Sequence, residues 1–244
     1  MPYMNPTRGK STPFNLAKSK DLQKAADDFR YLLNRKYPRK AALELVGNRY
    51  QLTTDERHLL HRGIFSNADS TTRKKKKISI KEVRNNVLAI DGYNVIITIE
   101  AGLSGRPLIL GDDGFIRDIS GLSGSFKKSE KTEDALRLIF DVLKKLKTRN
   151  TLFLFDAPIS MSGNLAQEIR DGLRRENIPG DAQAVKVPEK ILIGFPGIVA
   201  TSDTAIIDQS NKVIDLAGHI IKYFMLRQHP KRLPILSGGK EKKF

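Results

Sequence analysis

Val87-Leu88-Ala89-Ile90-Asp91-Gly92-Tyr93-Asn94-Val95 is an apolar run that ends in an acid, a glycine and a polar pair. Four apolar residues closed by a turn signal read as a buried strand, with Asp91 at its carboxyl edge. In an open α/β sheet that edge is where ligands bind. An ionised carboxylate there is costly unless it is compensated, and a metal ion is a common partner. A capping acid at a strand-to-helix turn is the plainer alternative. Asn94 adds either a neutral oxygen ligand or a hydrogen-bond donor.

The same pattern occurs twice more. Thr151-Leu152-Phe153-Leu154-Phe155-Asp156 is stopped by Ala157-Pro158, and Gly197-Ile198-Val199-Ala200-Thr201-Ser202-Asp203 is followed by Asp208. If these strands are parallel neighbours, Asp91, Asp156 and Asp203 converge at one edge. Their mutual repulsion is then of order several kcal/mol at intermediate dielectric. A divalent cation removes that penalty and creates a hydrolytic centre. The chain has no cysteine and four histidines, so such a cation would rest on carboxylates, which favours Mg2+ or Mn2+. Asp208 or Glu133 is expected to supply a fourth oxygen. The hydroxyls of Thr201, Ser202 and Thr204 can fix a carboxylate or hold metal-bound water.

The formal net charge of +16 is unevenly spread along the 244 residues. Residues 1–86 carry 20 Lys+Arg against 8 Asp+Glu, residues 87–226 carry 17 against 18, and residues 227–244 carry 6 against 1. A near-neutral body with basic ends points to a polyanion partner, most simply nucleic acid, with solvated flanks or anionic lipid as alternatives. No apolar run approaches the ~20 residues of a membrane helix, and the N-terminus lacks the apolar core of a signal peptide. The expectation is therefore a cytoplasmic protein with no membrane partner.

Residues 1–17 read as a mobile arm. Leu22, Ala25, Ala26, Phe29, Leu32 and Leu33 recur at helical spacing with Ser19 as the cap. A second helix spans Lys40 to Val46 and breaks at Gly47-Asn48, and a third opens at Thr54. Residues 18–66 thus form a small basic all-α module. Its Arg49, Tyr50, Arg57, His58, His61 and Arg62 read equally as a phosphate- or base-contacting face or as a solvated helix face. Residues 67–78, with Arg73 to Lys77 and Lys75 at its centre, read as a basic linker or a strip along phosphates. Residues 79–226 alternate strand and helix. Within them Asp113-Gly114 is a hairpin signal, residues 120–131 form a mobile loop, and Thr132 caps a helix. Gly121 to Gly124 lacks the Lys-Ser/Thr ending of a phosphate loop, so ATP use finds no support. The tail 227–244 is basic and loose.

At these residues the chain resembles the PIN-like and NYN nuclease superfamily. Ile90-Asp91-Gly92-Tyr93-Asn94-Val95 is similar to its opening motif, Phe155-Asp156 to its middle acid, and Thr201-Ser202-Asp203-Thr204-Ala205-Ile206-Ile207-Asp208 to its late Ser-Asp segment. The chain also resembles a largely archaeal, uncharacterised family that joins a helical domain of unknown function to a PIN-like domain. Leu45 to Thr53 and Glu56 to Gly63 carry that half. The resemblance implies a Rossmann-like parallel sheet with flanking helices behind a small all-α domain, and a metal-dependent ribonuclease that can pair as a homodimer. It implies Asp91, Asp156 and Asp203 as catalytic metal ligands. The superfamily's remaining acid usually lies on a helix, which points to Glu133 or Asp134, with the Asp112-Asp113 hairpin in competition. Two alternatives stand beside this. One is a catalytically degenerate RNA-binding protein. The other is a Mg2+-dependent phosphatase, although Tyr93 occupies the place of the second acid in an Asp-x-Asp nucleophile motif.

Overall fold

The computed structural model describes residues 19–119, 126–225 and 235–237. The expected arm 1–17, the glycine-rich part of the loop 120–131 and most of the tail lie outside the described residues. Helices α1 (Ser19–Asn34), α2 (Arg39–Arg49), α3 (Thr54–Gly63) and α4 (Asn67–Lys76) come first. They are followed by β1 (Val87–Asp91), α5 (Gly92–Leu103), β2 (Leu108–Leu110), β3 (Ile116–Asp118) and α6 (Glu130–Leu146). Then come β4 (Asn150–Asp156), α7 (Ser162–Arg175), β5 (Gly180–Val185), α8 (Pro188–Ile193), β6 (Ile198–Ala200) and α9 (Thr204–Gln209). The described chain closes with β7 (Val213–Ile214), α10 (Leu216–Ile220), a π-helical turn (Ile221–Met225) and β8 (Ile235–Ser237). Among the described residues, no helix is long and apolar enough to cross a membrane.

Five strands form a wholly parallel sheet in the order β5-β4-β1-β6-β7. Successive side chains of a strand point to opposite faces, and both faces are buried. Leu88, Ile90, Phe153, Phe155 and Ile198 pack with α5, α6, α7 and α10 into the main core. Ala89, Leu154 and Val199 on the other face meet Leu192 of α8 and Ile206 of α9. Burial on both faces explains why these strands read as near-continuous apolar runs rather than alternating ones. From β1 the chain builds outward to β4 and β5, then returns across the sheet to β6 and β7. The direction reverses between β1 and β6, and a crevice opens at such a switch point.

The expected hairpin forms. β2 and β3 pair antiparallel around Asp113-Gly114, where Gly114 takes φ 82°. A left-handed conformation of that kind favours glycine. This hairpin is the platform for the helical module, because Ile109 and Ile119 share one apolar cluster with Phe29, Leu60 and Ile64. Gly63 of α3 lies directly against Ile109, leaving no room for a side chain.

Four expectations from the sequence change. Residues 67–78 are not a linker: Asn67–Lys76 is a helix whose N-cap Ser66 accepts from the Asp69 amide. It ends in a run of basic residues because cations suit a helix C-terminus. Helix α2 runs through Gly47 to Arg49, and Gly47 makes room for the Arg57 guanidinium. Helix α6 begins at Glu130, so Thr132 lies in its first turn, where its hydroxyl meets Glu100 at 2.5 Å. In the tail, Ile235–Ser237 pairs parallel with β2 instead of running loose.

Module and sheet are joined by buried charge. Asp113 is wholly buried and accepts from both terminal nitrogens of Arg117 at 2.8 and 2.7 Å, with Arg73 Nη1 at 3.7 Å. Arg73 in turn forks onto Asp208 at 2.6 and 2.7 Å. The Phe65 ring sits among the guanidiniums of Arg39, Arg73 and Arg117, 4.8, 4.5 and 5.1 Å from its centroid. Removing one partner of a buried pair leaves the other charge desolvated and unpaired, which costs about 3–5 kcal/mol. Asp113→Ala is therefore expected to lower unfolding stability by that amount. The readout is a lower urea midpoint at an unchanged slope.

Candidate functional site

Strand parity decides where the acids go. Asp91 pairs in register with Leu154, so Asp156 lies two residues further along β4 and on the same face. Ile90 pairs with Ala200, which sets Thr201 level with Asp91 and Asp203 two residues beyond. Asp91 is thus flanked by an acid from each neighbouring strand, all on the α8/α9 face. Asp91, Asp156 and Asp203 line one cavity of about 190 Å³, together with Tyr93 and Asn94 of α5, Glu189 of α8, Asp118 and Arg62.

The acids differ in environment. The Thr201 hydroxyl donates to Asp91 Oδ2 at 2.7 Å. Burial pushes the Asp91 carboxyl up to about 7, against that hydrogen bond, and the nearby Asp203 and Asp156 charges add to the rise. Burial also raises Asp156, with Glu189 contributing repulsion. Asp203 is the N-cap of α9, and its Oδ1 accepts from the amides of Ala205 and Ile206 at 2.8 and 3.2 Å. The capping role considered for such acids is realised at Asp203. Asp91 occupies the N-cap position of α5 without a side-chain capping bond.

Asn94 Oδ1 accepts from the Ser202 amide at 2.8 Å and its hydroxyl at 3.0 Å. Of the two roles open to Asn94, its oxygen is taken, and the amide nitrogen is left as the donor at the cavity. Ser202 accordingly positions Asn94, and its carbonyl accepts from Arg117 Nε at 2.7 Å. Tyr93 is buried, yet its hydroxyl has no hydrogen-bond partner among the described residues. Burial and the Asp156 charge push that phenol up to about 12. A buried hydroxyl without a partner at a cavity wall is a donor awaiting a ligand.

Other expected site residues are placed elsewhere. Asp208 is committed to Arg73, and Glu133 is exposed, with Lys128 at 3.4 Å, along a different cleft between α6 and α7. Of the competing second acids, Asp134 pairs with exposed Arg137 and Lys131, Asp112 with Arg30 at 3.0 and 3.1 Å, and Asp113 with Arg117. Arg57 spans the turn after α2, donating to Leu52 O and Asn48 Oδ1. The Tyr50 hydroxyl donates to Asp28 at 2.8 Å, and Arg49 lies 3.8 Å from the same carboxylate on an exposed face. Lys75 is exposed on α4. His61 and Arg62 do reach the crevice. They line a second cavity of about 350 Å³ with His58, Arg39 and Arg117, bordered by Ser202, Asp203 and Thr204.

Asp118 and Glu189 were missed. Asp118 ends the short strand Ile116–Asp118, but Arg117 interrupts the apolar run before it, so the signal that found the others is weak there. Glu189 follows the Pro188 start of α8 and reads as a helix-dipole acid, with no local sign of a site.

The donor set is that of a hard cation, carboxylate and hydroxyl oxygen throughout. Among the described residues, however, no three His, Asp or Glu side chains are gathered closely enough to hold a metal ion by themselves. The fit is to a cation that keeps several of its own waters and takes one or two carboxylates, which is how Mg2+ is usually bound.

Residues 80–219 match the family described as Domain of unknown function (DUF5616), and residues 21–76 match the one described as Protein of unknown function (DUF434). An uncharacterized protein of Methanocaldococcus jannaschii, MJ0935, is 34% identical over 204 residues, covering 83% of this chain and 97% of that protein. No solved structure matches the chain.

The raised Asp91 carboxyl fixes a sign. In the folded state it holds a proton that the unfolded chain releases near pH 4, so the contribution of Asp91 to stability is fully present below about pH 4 and is lost as pH rises toward 7. Asp91→Asn removes this loss. The variant is expected to gain on the wild type between pH 4 and 8, as urea midpoints across that range will show. Tyr93→Phe is expected to unfold within about 0.5 kcal/mol of the wild type, since no hydrogen bond is lost.

Proposed function

The chain belongs to the family described as Domain of unknown function (DUF5616), with a DUF434 region ahead of it, and on that premise we propose that it is a metal-dependent ribonuclease of the PIN-like type. One observation carries the reading: Asp91 stands between Asp156 and Asp203 at the switch point of a parallel sheet, on a cavity where its carboxyl is pushed up to about 7. Such a rise marks negative charge crowded into a desolvated place, and perturbed groups of this kind concentrate at functional sites. The resemblance of Ile90 to Val95 to the opening motif of PIN-like nucleases supports the same conclusion.

Asp91 and Asp203, with Asp156 across the cavity, are the residues that would hold Mg2+ or Mn2+. Bound there, the ion supplies Lewis acidity toward a phosphate and toward water. The protein's own groups do the rest. Thr201 holds Asp91 in one orientation, and Ser202 turns Asn94 so that its amide nitrogen can donate to a phosphate oxygen. The Tyr93 hydroxyl offers a second donor on the Asp156 side. Two neutral donors let an anionic strand approach a wall of acids without adding further charge. The basic N-terminal module supports RNA as the polyanion, and its α3 is the helix that reaches the crevice.

The rival reading is a binding protein whose acids have lost their metal, and the lack of three closely gathered acids among the described residues favours it to that extent. A Mn2+ titration of thermal stability separates the two. Binding to the folded state alone contributes about 2.7 kcal/mol at a hundredfold excess over Kd. The wild type is expected to rise in melting temperature, and Asp91→Asn is expected not to. With a structured RNA as substrate, Asp91→Asn is expected to lose Mn2+-dependent cleavage while still binding the RNA. Equal cleavage by the variant would falsify the nuclease reading.

A further inference from the structure

The acid cavity has a neighbour of opposite character. Helix α3 is fixed by a capping box, in which Thr53 and Glu56 exchange hydrogen bonds, and by the contact of Gly63 with Ile109. With Leu59, Leu60 and Gly63 turned inward, His58, His61 and Arg62 share the face at i, i+3 and i+4. That face looks across to the start of α9, and between them lies the cavity of about 350 Å³ walled by Arg39, Arg62, Arg117 and the two histidines. Only Arg62 and Asp203 line both cavities, so the two adjoin along one line.

The charges in this second cavity are not balanced by the protein. Arg117 is satisfied by Asp113, and Arg39 donates to the carbonyls of His61 and Ile64 at the end of α3. Arg39 makes no ion pair among the described residues, and the nearby Asp69 and Asp113 charges offset the cost of its burial only in part. Burial, with the nearby Arg73 and Arg117, brings the Arg39 guanidinium down to about 10. Burial and the cations Arg39, Arg62 and His58 push His61 below its ordinary value. Arg62 is half-buried and makes no hydrogen bond or ion pair with any described residue. Asp203, the acid on this wall, is turned to the amides of α9. An unpaired arginine fork beside two imidazoles in a concave site suits a phosphoryl group.

We propose that the cavity between α3 and α9 is a phosphoryl-binding subsite, which receives the phosphoryl group next to the one in the acid cavity on the same strand. This rests on the nuclease reading for what lies in the acid cavity, and on the cationic cavity alone for phosphoryl binding. The subsite gives the helical module a role in recognition, since it contributes His58, His61, Arg62 and Arg39. A strand would then cross from cationic to acidic wall at Arg62 and Asp203, the residues that line both cavities.

The test is binding without divalent metal, in EDTA, using the full chain and a short fluorescent ribonucleotide in three forms: 5′-phosphorylated, 3′-phosphorylated and bearing hydroxyls at both ends. Arg62→Gln is expected to weaken binding about tenfold, as for a lost charge-assisted contact. Arg62→Lys is expected to recover part of it. Arg149→Gln removes one charge just before β4, at the amino edge of the sheet, and is expected to change binding less than twofold. A melting temperature for Arg62→Gln equal to wild type in the absence of ligand shows that the fold is intact. A preference for one phosphorylated end would assign the subsite to a terminal phosphomonoester. Equal binding of all three, with equal loss in Arg62→Gln, would assign it to an internal phosphodiester. If Arg62→Gln binds as the wild type does, or Arg149→Gln loses as much, the subsite is wrong. The two readings fail separately. Phosphoryl binding that depends on Arg62 with no Mn2+-dependent cleavage sinks the nuclease and keeps the subsite, while cleavage that depends on Asp91 with no effect of Arg62 does the reverse.

Discussion

The carboxylate of Asp113 has no exposure to solvent, and everything around it follows from the need to satisfy that charge. It sits in the turn between β2 and β3, where Arg117 from its own hairpin and Arg73 from α4 reach it. Arg73 extends the network to Asp208 on α9, and Arg117 extends it to the carbonyl of Ser202, just ahead of the same helix. One buried acid thereby ties the helical module, the inserted hairpin and the segment that carries Asp203. A buried ion pair need not add net stability, because desolvation offsets much of the attraction. Its consequence here is positional: the three arginines stack around Phe65 and can be satisfied in one arrangement of the two units.

That arrangement explains why some of the site was legible in the sequence and some was not. The strand-end acids were legible because the signal is local: an apolar run buried on both faces, then a carboxylate where the sheet ends. The runs Val87 to Asp91 and Asn150 to Asp156 mark two buried strands with an acid at the end of each, and their parallel pairing is seen in the structure. The fate of each acid was not legible, since it depends on partners far along the chain. Asp208 and Arg73 are 135 residues apart, so a pairing that removes Asp208 from the site leaves no mark near either. Arg73 to Lys77 looked like a linker for a related reason. Five successive cations do not suit a core, and yet Arg73 is buried against carboxylates, Lys76 reaches the carbonyls that end α9, and Lys77 meets Asp215 at 3.1 Å. Composition described the run correctly as charge, but only the tertiary contacts show which charges are spent inside the protein.

The spent charges sharpen what remains. Of the basic residues that looked available for RNA, Arg57 and Arg73 are internal struts, as is Arg117 of the hairpin. The arginines without an ion pair among the described residues that gather beside the acid cavity are Arg39 and Arg62, with the imidazoles of His58 and His61 next to them. Positive and negative walls could have cancelled by direct ion pairing across their shared border. They do not, because Asp203 is held by the amides of α9 while Arg62 projects from α3 without a carboxylate partner. Crowding like charges within each wall is what is unfavourable, carboxylates around Asp91 on one side and guanidiniums around His61 on the other. A ligand that brings anionic oxygens to Arg62 and a cation to Asp91 satisfies both walls at once. A phosphodiester strand with its divalent counterion has that composition. On the proposed reading the helical module and the sheet would meet the same ligand, one through Arg62 and the other through Asp91.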